Sequence, residues 1–237
     1  MPGRNPTQRP DIARVVEKQM RMWELARAQR PGPEQTRPTR QVEEFVTISR
    51  QVGAGGHDVA SRLATRLDWP VFDREILQAM AGDDQVRTRL YESLDERDRS
   101  WLEDALRWAL QKEFRKDDYF RHLGKTILTV ARQGHAIFLG RGADLMLPRE
   151  RGLRVHLFAP QEVCVQRFAQ RHNLDEAQAR TDSARLQRDR TDFLRRYFGN
   201  ATVLPERHDI VLNTATLEID HVVELIMTAL RNRGIVT

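Results

Sequence analysis

The stretch ISRQVGAGGHDVASRLATRL, residues 48–67, decides the fold. It begins at the end of an apolar, β-rich segment and continues through a glycine-rich turn. It ends in a segment whose apolar residues recur every fourth position, at Val59, Leu63 and Leu67. A strand, a glycine-rich loop and a helix in this order are the context that a phosphate-binding loop requires. The stretch therefore predicts such a loop.

The loop lacks one part of the usual pattern. The motif G-x-x-x-x-G-K-[ST] carries a lysine that reaches the β- and γ-phosphates. Here Gly55 is followed by Gly56, and no lysine lies between Lys18 and Lys112. The backbone N–H groups of the turn and the positive end of the helix dipole can cradle phosphate without the lysine. We expect the nucleotide-binding cradle to consist of Gly53, Ala54, Gly55, Gly56, His57 and Asp58.

Asp58 has two interpretations. It stands near the place where a threonine or serine usually binds Mg²⁺, and its carboxylate could contact the metal directly or through water. Aspartate at the start of a helix also serves as a cap. The sequence leaves both roles open.

Composition excludes several classes of protein. The chain has 237 residues and a single cysteine, Cys164, so it has no internal disulfide framework and no cysteine-based zinc site. No apolar run approaches the roughly 18 residues of a membrane span. The polar N-terminus lacks the apolar stretch of a secretory signal. We expect a cytoplasmic protein that does not contact membranes.

The charge indicates an anionic partner without naming it. There are 39 basic and 34 acidic residues, for a net charge of +5, and most of the basic ones are arginine. Arginine suits bidentate binding of phosphate, although an arginine-rich composition alone would give the same balance. Because aromatic residues are only 7% and the two signs of charge are mixed, nucleic acid is disfavoured as a partner.

Beyond the loop, short apolar segments alternate with helical ones. Such alternation predicts a parallel sheet with helices on both faces. The predicted strands after the first lie at 70–72, 135–140, 152–159 and 209–214, and the later helices at 161–172, 175–198 and 217–233. Between the second and third strands, residues 75–133 are predicted to form a helical insert.

The N-terminal residues form a separate predicted segment. A helical pattern begins at Asp11, with Ile12, Val16, Met20 and Trp23 on one stripe, and a Pro/Arg-rich linker follows. We therefore predict a segment at 1–43 and a main domain at 44–237. The apolar stripe could dock on the main domain, on a second copy of the chain in a homodimer, or on another protein.

Several separated motifs appear in an order that resembles the cytidylate kinase-like family, a branch of the P-loop nucleoside monophosphate kinases. They are ISRQVGAGGHDVASRLATRL, PVFDREIL, HAIFLGRGADLML, LRVHLFAP, QRFAQR, RDRTDFLRRYFG and DIVLNT. The resemblance covers about residues 44–230. It implies a P-loop NTPase fold of three α/β/α layers, with a parallel sheet of five strands and an acceptor-binding helical insert. It also implies transfer of phosphate from ATP, with Mg²⁺, to a nucleoside monophosphate such as CMP or dCMP.

The arginine-studded segment 175–198 carries part of this resemblance. Arg188, Asp192 and Arg195 fall at i, i+4 and i+7, which places them on one helical face. The resemblance implies that the two arginines bind phosphate and that Asp192 binds the sugar of the acceptor. A solvated helix face with ion pairs is the alternative.

Residues at the ends of predicted strands complete the expected site. Arg141 follows the third strand and, by resemblance, contacts the acceptor phosphate. Asp73 ends the second strand and should face the same crevice and contribute to the acceptor site, because ligands bind at the carboxyl ends of parallel strands. Arg74 could contact the acceptor phosphate, or could form an ion pair with Glu75 or Asp73. The family's aspartate after the arginine is Gly142 here. Asp144 could take over work at the metal, or could cap the next turn.

These residues suggest how phosphate transfer could proceed without the loop lysine. An anionic acceptor oxygen needs no strong base, so catalysis depends on alignment and on positive charge. We expect Mg²⁺ and four catalytic arginines, Arg50, Arg141, Arg188 and Arg195, to supply that charge. The alternative is a degenerate kinase that binds a nucleotide or another phosphate ligand and acts as a regulatory module.

Overall fold

A parallel sheet forms the centre of the computed structural model. The structure describes residues 12–28, 42–92, 94, 96–109, 117–203 and 205–237. In this part of the chain the strands are β1 (Phe45–Arg50), β2 (Val71–Phe72), β3 (Ala136–Leu139), β4 (Gly152–Phe158) and β5 (Ile210–Asn213). Their order is β2-β3-β1-β4-β5, and every neighbouring pair is parallel. The predicted five-stranded parallel sheet is confirmed.

Helices connect the strands and cover both faces of the sheet. They are α1 (Ile12–Ala28), α2 (Gly56–Leu67), α3 (Arg74–Gly82), α4 (Asp84–Glu92), α5 (Glu96–Ala109), α6 (Asp118–Gln133), α7 (Ala143–Met146), α8 (Gln161–His172), α9 (Glu176–Phe198) and α10 (Ile219–Asn232). Helices α3 to α6 lie between β2 and β3, where the sequence predicts a helical insert.

Alternation along β1 explains the layers. Phe45 points into an apolar core shared with the insert helices, whereas Val46 and Ile48 point into a second core with α2 and α10. Successive side chains of a strand face opposite sides of a sheet, so one apolar strand can supply two cores. The predicted α/β/α layering is therefore confirmed.

Helix α1 packs on the chain's own insert. Val16 and Met20 are buried in the core that contains α3, and Glu17 pairs with Arg89 of α4 at 3.2 Å. The side chains of Ile12 and Trp23, which share the predicted stripe, lie outside the described residues, as does the linker. A homodimer or a protein partner for this helix stays a prediction.

The strand order places the carboxyl ends of β1 and β3 side by side and that of β2 next to them. In open α/β sheets the ligand crevice lies at this edge. Arg50 ends β1, Asp73 follows β2, and Arg141 lies two residues beyond β3. None of the helices described in the structure is both long and apolar enough to cross a membrane.

Candidate active site

The loop between β1 and α2 lies against α8 and is tied to α9. Gly53 has φ +86°, and a Cβ at this position would lie within 2.7 Å of the Cys164 carbonyl carbon, so only glycine fits. The Gln187 side-chain oxygen accepts a hydrogen bond from the Val52 N–H at 3.0 Å. The loop is thus fixed from two sides and leads directly into α2.

The side chain of Arg50 occupies the space above Gly56. A Cβ at Gly56 would lie only 2.7 Å from the Arg50 Cγ and 3.2 Å from its Cδ. From there Arg50 extends across the site, and its guanidinium Nη1 lies against Gly140 at the end of β3. An arginine from the strand therefore fills the position from which a loop lysine would project.

Two cavities meet at this arginine. We call the larger one, about 870 Å³ and lined by the loop, Asp73 and Arg171, the loop cleft. We call the smaller one the inner cavity. It has a volume of about 230 Å³ and is lined by Arg141 after β3, by Phe193 on α9 and by Ser49 on β1. The residues that line both cavities are all arginines: Arg50, Arg74 and Arg190.

These arginines concentrate positive charge at which the described part of the chain forms no ion pair. Among the described residues, Arg50, Arg74, Arg141 and Arg190 form no ion pair, and the Nε of Arg50 is buried without a hydrogen-bond partner. Burial, followed by the charge of Arg190, lowers the pKa of Arg50 to about 9. Burial and the charges of Arg74 and Arg141 lower the pKa of Arg190 to about 10. A cluster of guanidinium groups favours an anion at this site.

Arg141 is held by its backbone and by an aromatic ring. Its φ of +57° lies in the left-handed region, between two glycines that are also left-handed. Such a backbone is uncommon for arginine and is a mark of functional sites. The guanidinium carbon lies 4.5 Å from the centroid of the Phe193 ring, a cation–π contact from α9. This arrangement directs Arg141 into the inner cavity.

Asp73 lines the loop cleft and caps the N-terminus of α3. Its Oδ1 accepts hydrogen bonds from the N–H groups of Glu75 at 2.9 Å and Ile76 at 3.0 Å. The carboxylate raises the pKa of Arg50, in opposition to the surrounding arginines. Arg74 follows directly and joins the residues that line both cavities.

Asp58 is in the first turn of α2, but it is not the cap, a position that Gly55 occupies. Its carboxylate pairs with Arg171 of α8 at 3.3 Å, and both side chains are about half exposed. Together with Asp73, it gives the loop cleft two carboxylates beside the phosphate cradle. Mg²⁺ in nucleotide sites is held by one or two carboxylates and by substrate phosphates, so the residues present fit this ion.

Asp144 performs neither of the roles considered for it. It is buried, its Oδ2 accepts from the Arg207 Nε at 2.5 Å, and its Oδ1 lies 3.3 Å from the Arg207 Nη2. No side-chain hydrogen bond caps α7, the helix that contains it. Both carboxylate oxygens are therefore committed to a buried ion pair.

Gly142 cannot be replaced by the family's aspartate in this structure. Its φ is +70°, and a Cβ would lie 2.6 Å from the Cζ of the Phe198 ring at the end of α9. The aromatic ring thus fills the space that an aspartate side chain would need.

Helix α9 distributes its predicted site residues over different surfaces. Arg195 lines the inner cavity, whereas Arg188 lines a rear recess behind the loop together with Cys164 and Gln161. Asp192 is exposed and lines neither the two cavities nor this recess. Arg188 and Arg195 are seven positions apart, which is about 10 Å along a helix axis, so one face of α9 meets different neighbours along its length.

Sequence reasoning missed Arg190, the residue of α9 that lies between the two cavities. A signal was present, because Leu194 and Phe198 lie four and eight residues further along and face the protein interior. Residues four apart share a helix face, so the apolar end of α9 could have pointed back to Arg190.

A polar cluster beneath the inner cavity was also missed. Ser49 and His156 lie side by side on β1 and β4. The Ser49 Oγ is 2.8 Å from the His156 Nδ1 and 2.7 Å from the His208 Nε2. Burial lowers the pKa of His208 to about 4 and also lowers that of His156. No motif in the sequence connects these residues, because three separate segments supply them.

Comparisons with known proteins agree with this architecture. The sequence model of the cytidylate kinase-like family matches residues 45–216. An uncharacterized protein from Eubacterium ventriosum ATCC 27560 has a similar structure, with a TM-score of 0.64 and 19% identity over 81% of this chain and 99% of that chain. This similarity shows the shared fold. No curated protein matches the chain.

Two named kinases are more distant in structure. A shikimate kinase from Bacteroides thetaiotaomicron has a TM-score of 0.43 and 14% identity, over 79% of this chain and 98% of that chain. A gluconokinase from Sinorhizobium meliloti 1021 has a TM-score of 0.40 and 13% identity, over 81% of this chain and 94% of that chain.

Proposed function

The chain belongs to the cytidylate kinase-like family of P-loop kinases, and from this premise we propose that it transfers the γ-phosphate of ATP to a nucleoside monophosphate such as CMP or dCMP. ATP occupies the loop cleft with its phosphates on the cradle. The acceptor occupies the inner cavity with its phosphate toward β3. The phosphoryl group moves between the two cavities, where Arg50, Arg74 and Arg190 lie.

The observation that carries this proposal is the position of Arg50. Its stem covers Gly56 and its guanidinium lies between the two cavities, so it supplies positive charge where the loop lysine is missing. Guanidinium groups bind phosphate oxygens in a bidentate manner. In the proposed reaction Arg50 therefore neutralises the transferring phosphoryl group.

The remaining residues align the reactants. Arg141, held against Phe193, binds the acceptor phosphate. Arg190 lines both cavities and therefore contacts the phosphates of ATP and of the acceptor. Asp58 and Asp73 would hold Mg²⁺, which supplies charge neutralisation of the ATP phosphates when it is bound. The acceptor oxygen is already anionic, so alignment and charge are sufficient without a general base.

The test is ATP consumption with a panel of nucleoside monophosphates. We expect turnover with at least one of them, and a fall on the order of 100-fold or more in kcat for Arg50→Met, which keeps an unbranched apolar stem but removes the charged guanidinium group. The matched control is Arg66→Met, because Arg66 pairs with Glu224 on the outer side of α2. ATP binding without turnover of any acceptor would instead favour a degenerate, regulatory protein.

A further inference from the structure

The cluster beneath the inner cavity has no part in the proposed phosphoryl transfer, yet two of its members line that cavity. Ser49 and His156 face the cavity, and His208 lies behind them against the Asp144–Arg207 ion pair. In the sheet, β4 lies on the opposite side of β1 from β3 and β2. One strand, β1, thus separates the strand of His156 from the one before Arg141, and two strands, β1 and β3, separate it from the one before Arg74.

The distances indicate which groups of the cluster donate hydrogen bonds and which accept them. The His208 Nε2 lies 2.7 Å from the Ser49 Oγ and 3.9 Å from the Asp144 Oδ2, which is too far for a hydrogen bond but close enough for the negative charge to act on a proton at Nε2. These neighbours favour a proton on the His208 Nε2, which then donates to Ser49. The single hydroxyl hydrogen of Ser49 is left for the His156 Nδ1, at 2.8 Å.

One competing acceptor lies near the serine. The Val155 carbonyl oxygen is 3.4 Å from the Ser49 Oγ, well beyond the 2.8 Å to the imidazole nitrogen. Hydrogen bonds from hydroxyl groups are normally 2.5–3.0 Å long. The imidazole is therefore the better acceptor. A neutral imidazole that accepts at Nδ1 carries its proton on Nε2.

We infer that His156 is a specificity-determining residue whose Nε2–H donates a hydrogen bond to an oxygen of the acceptor, at the end remote from the acceptor phosphate. Asp144, His208 and Ser49 are positioning residues that fix its tautomer. The inference rests on the proposed function, because it places the acceptor in the inner cavity. The oxygen is a carbonyl of the base or a hydroxyl of the sugar, since both accept the same hydrogen bond.

The nearby charges support a neutral His156. Arg207 on the segment before β5 and Asp144 on α7 act on it in opposite directions, and burial together with Arg207 lowers its pKa. A neutral imidazole can donate one well-directed hydrogen bond without adding to the positive charge of the cavity.

The first measurement is the tautomer itself. Nitrogen-15 NMR of the ligand-free protein should show the His156 proton on Nε2 and a bare, hydrogen-bonded Nδ1. In Ser49→Ala this preference should weaken, because the hydroxyl donor is gone. A proton on Nδ1 in the wild-type protein would overturn the inference.

The second measurement is binding of CMP, dCMP and AMP by calorimetry. His156→Phe should weaken binding of the preferred monophosphate about tenfold and leave ATP binding unchanged, because a lost hydrogen bond to a ligand oxygen costs about this much. His156→Gln, whose amide nitrogen replaces Nε2, should retain more affinity than His156→Asn, whose amide replaces Nδ1. His221→Phe is the control, because His221 is exposed on α10.

The outcomes separate this inference from the proposed function. Unchanged monophosphate binding in His156→Phe would overturn the inference alone. Binding of a monophosphate without ATP consumption would overturn the function alone, and no binding of any monophosphate would overturn both. A larger effect of the substitution on CMP than on dCMP would assign the oxygen to the 2′-hydroxyl of the sugar. An equal effect on CMP and dCMP would assign it to the base if AMP, whose base has no carbonyl, is unaffected, and to the 3′-hydroxyl if AMP is affected equally.

Discussion

At Arg50 and Gly56, the glycine and the basic residue of an ordinary phosphate-binding loop have changed places. In the pattern G-x-x-x-x-G-K, the first glycine aligns with Arg50 and the lysine with Gly56. The structure gives a steric reason for the pair, because the arginine stem lies where any side chain at position 56 would begin. A glycine is thus required opposite the arginine, and the two substitutions depend on each other.

This dependence gives a first prediction at the residue scale. Gly56→Lys alone should lower activity, because the new side chain displaces Arg50. Arg50→Gly should lower kcat on the order of 100-fold, and the double variant Arg50→Gly/Gly56→Lys should recover about tenfold or more of that loss. Steady-state kinetics of the three variants checks this. Additive losses in the double variant would show that the two positions do not share one role.

A second prediction concerns Gly142. Gly142→Ala should destabilise the protein by about 2–4 kcal/mol, because alanine is strained at positive φ and its Cβ meets the Phe198 ring. The control is Gly234→Ala, at φ +64° with nothing within 4 Å, which should cost only about 1 kcal/mol. Urea unfolding of the two variants measures both. Equal losses would show that Phe198 is not the obstacle.

At the scale of the element, α9 decides which arginines reach the site. Its inward face carries Gln187, Arg190, Leu194 and Phe198 at spacings of three and four residues. Gln187 holds the loop, Arg190 joins the two cavities, and Phe198 supports the turn after β3. The helix therefore contacts the loop, the charge cluster and the turn that carries Arg141.

Two arginines on α9 provide a matched comparison. Arg190→Met should lower kcat/KM for both ATP and the acceptor by about tenfold or more, because Arg190 lines both cavities. Arg188→Met should change either value less than about twofold, since Arg188 lines the rear recess. Initial rates with each substrate varied in turn give the answer. A larger effect at Arg188 would support the role that the family resemblance implies for it.

The elements show why the fold was easier to predict than the site. Helix α8 begins and ends at the predicted residues, because periodicity and the flanking proline and asparagine are local signals. Strand ends placed Arg50, Arg141 and Asp73 at one edge, because topology alone fixes that edge. The roles of Arg190 and His156 in the site depend on how α9 and β4 pack against other segments. No local sequence pattern specifies this packing.

At the scale of the whole molecule, the site opposes stability. Four arginines face one another without forming an ion pair to any described residue, and Asp73 offsets only part of the repulsion on Arg50 in the folded, ligand-free protein. Functional sites commonly carry such a cost. Binding of an anion removes it, so ligand binding and folding should be strongly coupled.

This coupling can be measured by thermal unfolding. Arg50→Met should raise the stability of the ligand-free protein by about 1–3 kcal/mol, because a buried, repelled charge is removed. The same variant should show a smaller increase in Tm with ATP or pyrophosphate than the wild type. Arg66→Met should change neither value appreciably. A destabilised Arg50→Met protein would show that the arginine stem matters more than the repulsion.

Acid should also destabilise the whole molecule through the partly buried His208. His208 stays neutral in the folded protein down to its pKa of about 4, whereas in the unfolded chain it binds a proton near pH 6.5. Stability should therefore be complete above about pH 6.5 and fall as the pH drops toward 4, by about 1.4 kcal/mol per pH unit for one proton.

Urea unfolding at several pH values in this window checks the slope. His208→Gln should reduce the slope by about one proton, because glutamine does not titrate. His221→Gln, at an exposed position on α10, should leave it unchanged. An unaltered slope in His208→Gln would assign the acid sensitivity to other groups.

The replacement of a loop lysine by Arg50 has a consequence for chemical labelling. Acyl-phosphate derivatives of ATP identify nucleotide-binding proteins by acylating a nearby amine, and here no lysine lies between Lys18 and Lys112 or after Lys125. A protonated guanidinium does not take up the acyl group. This chain could hold ATP at full occupancy and give no signal with such reagents, whereas a dicarbonyl reagent directed at arginine should modify it, and bound ATP should protect it.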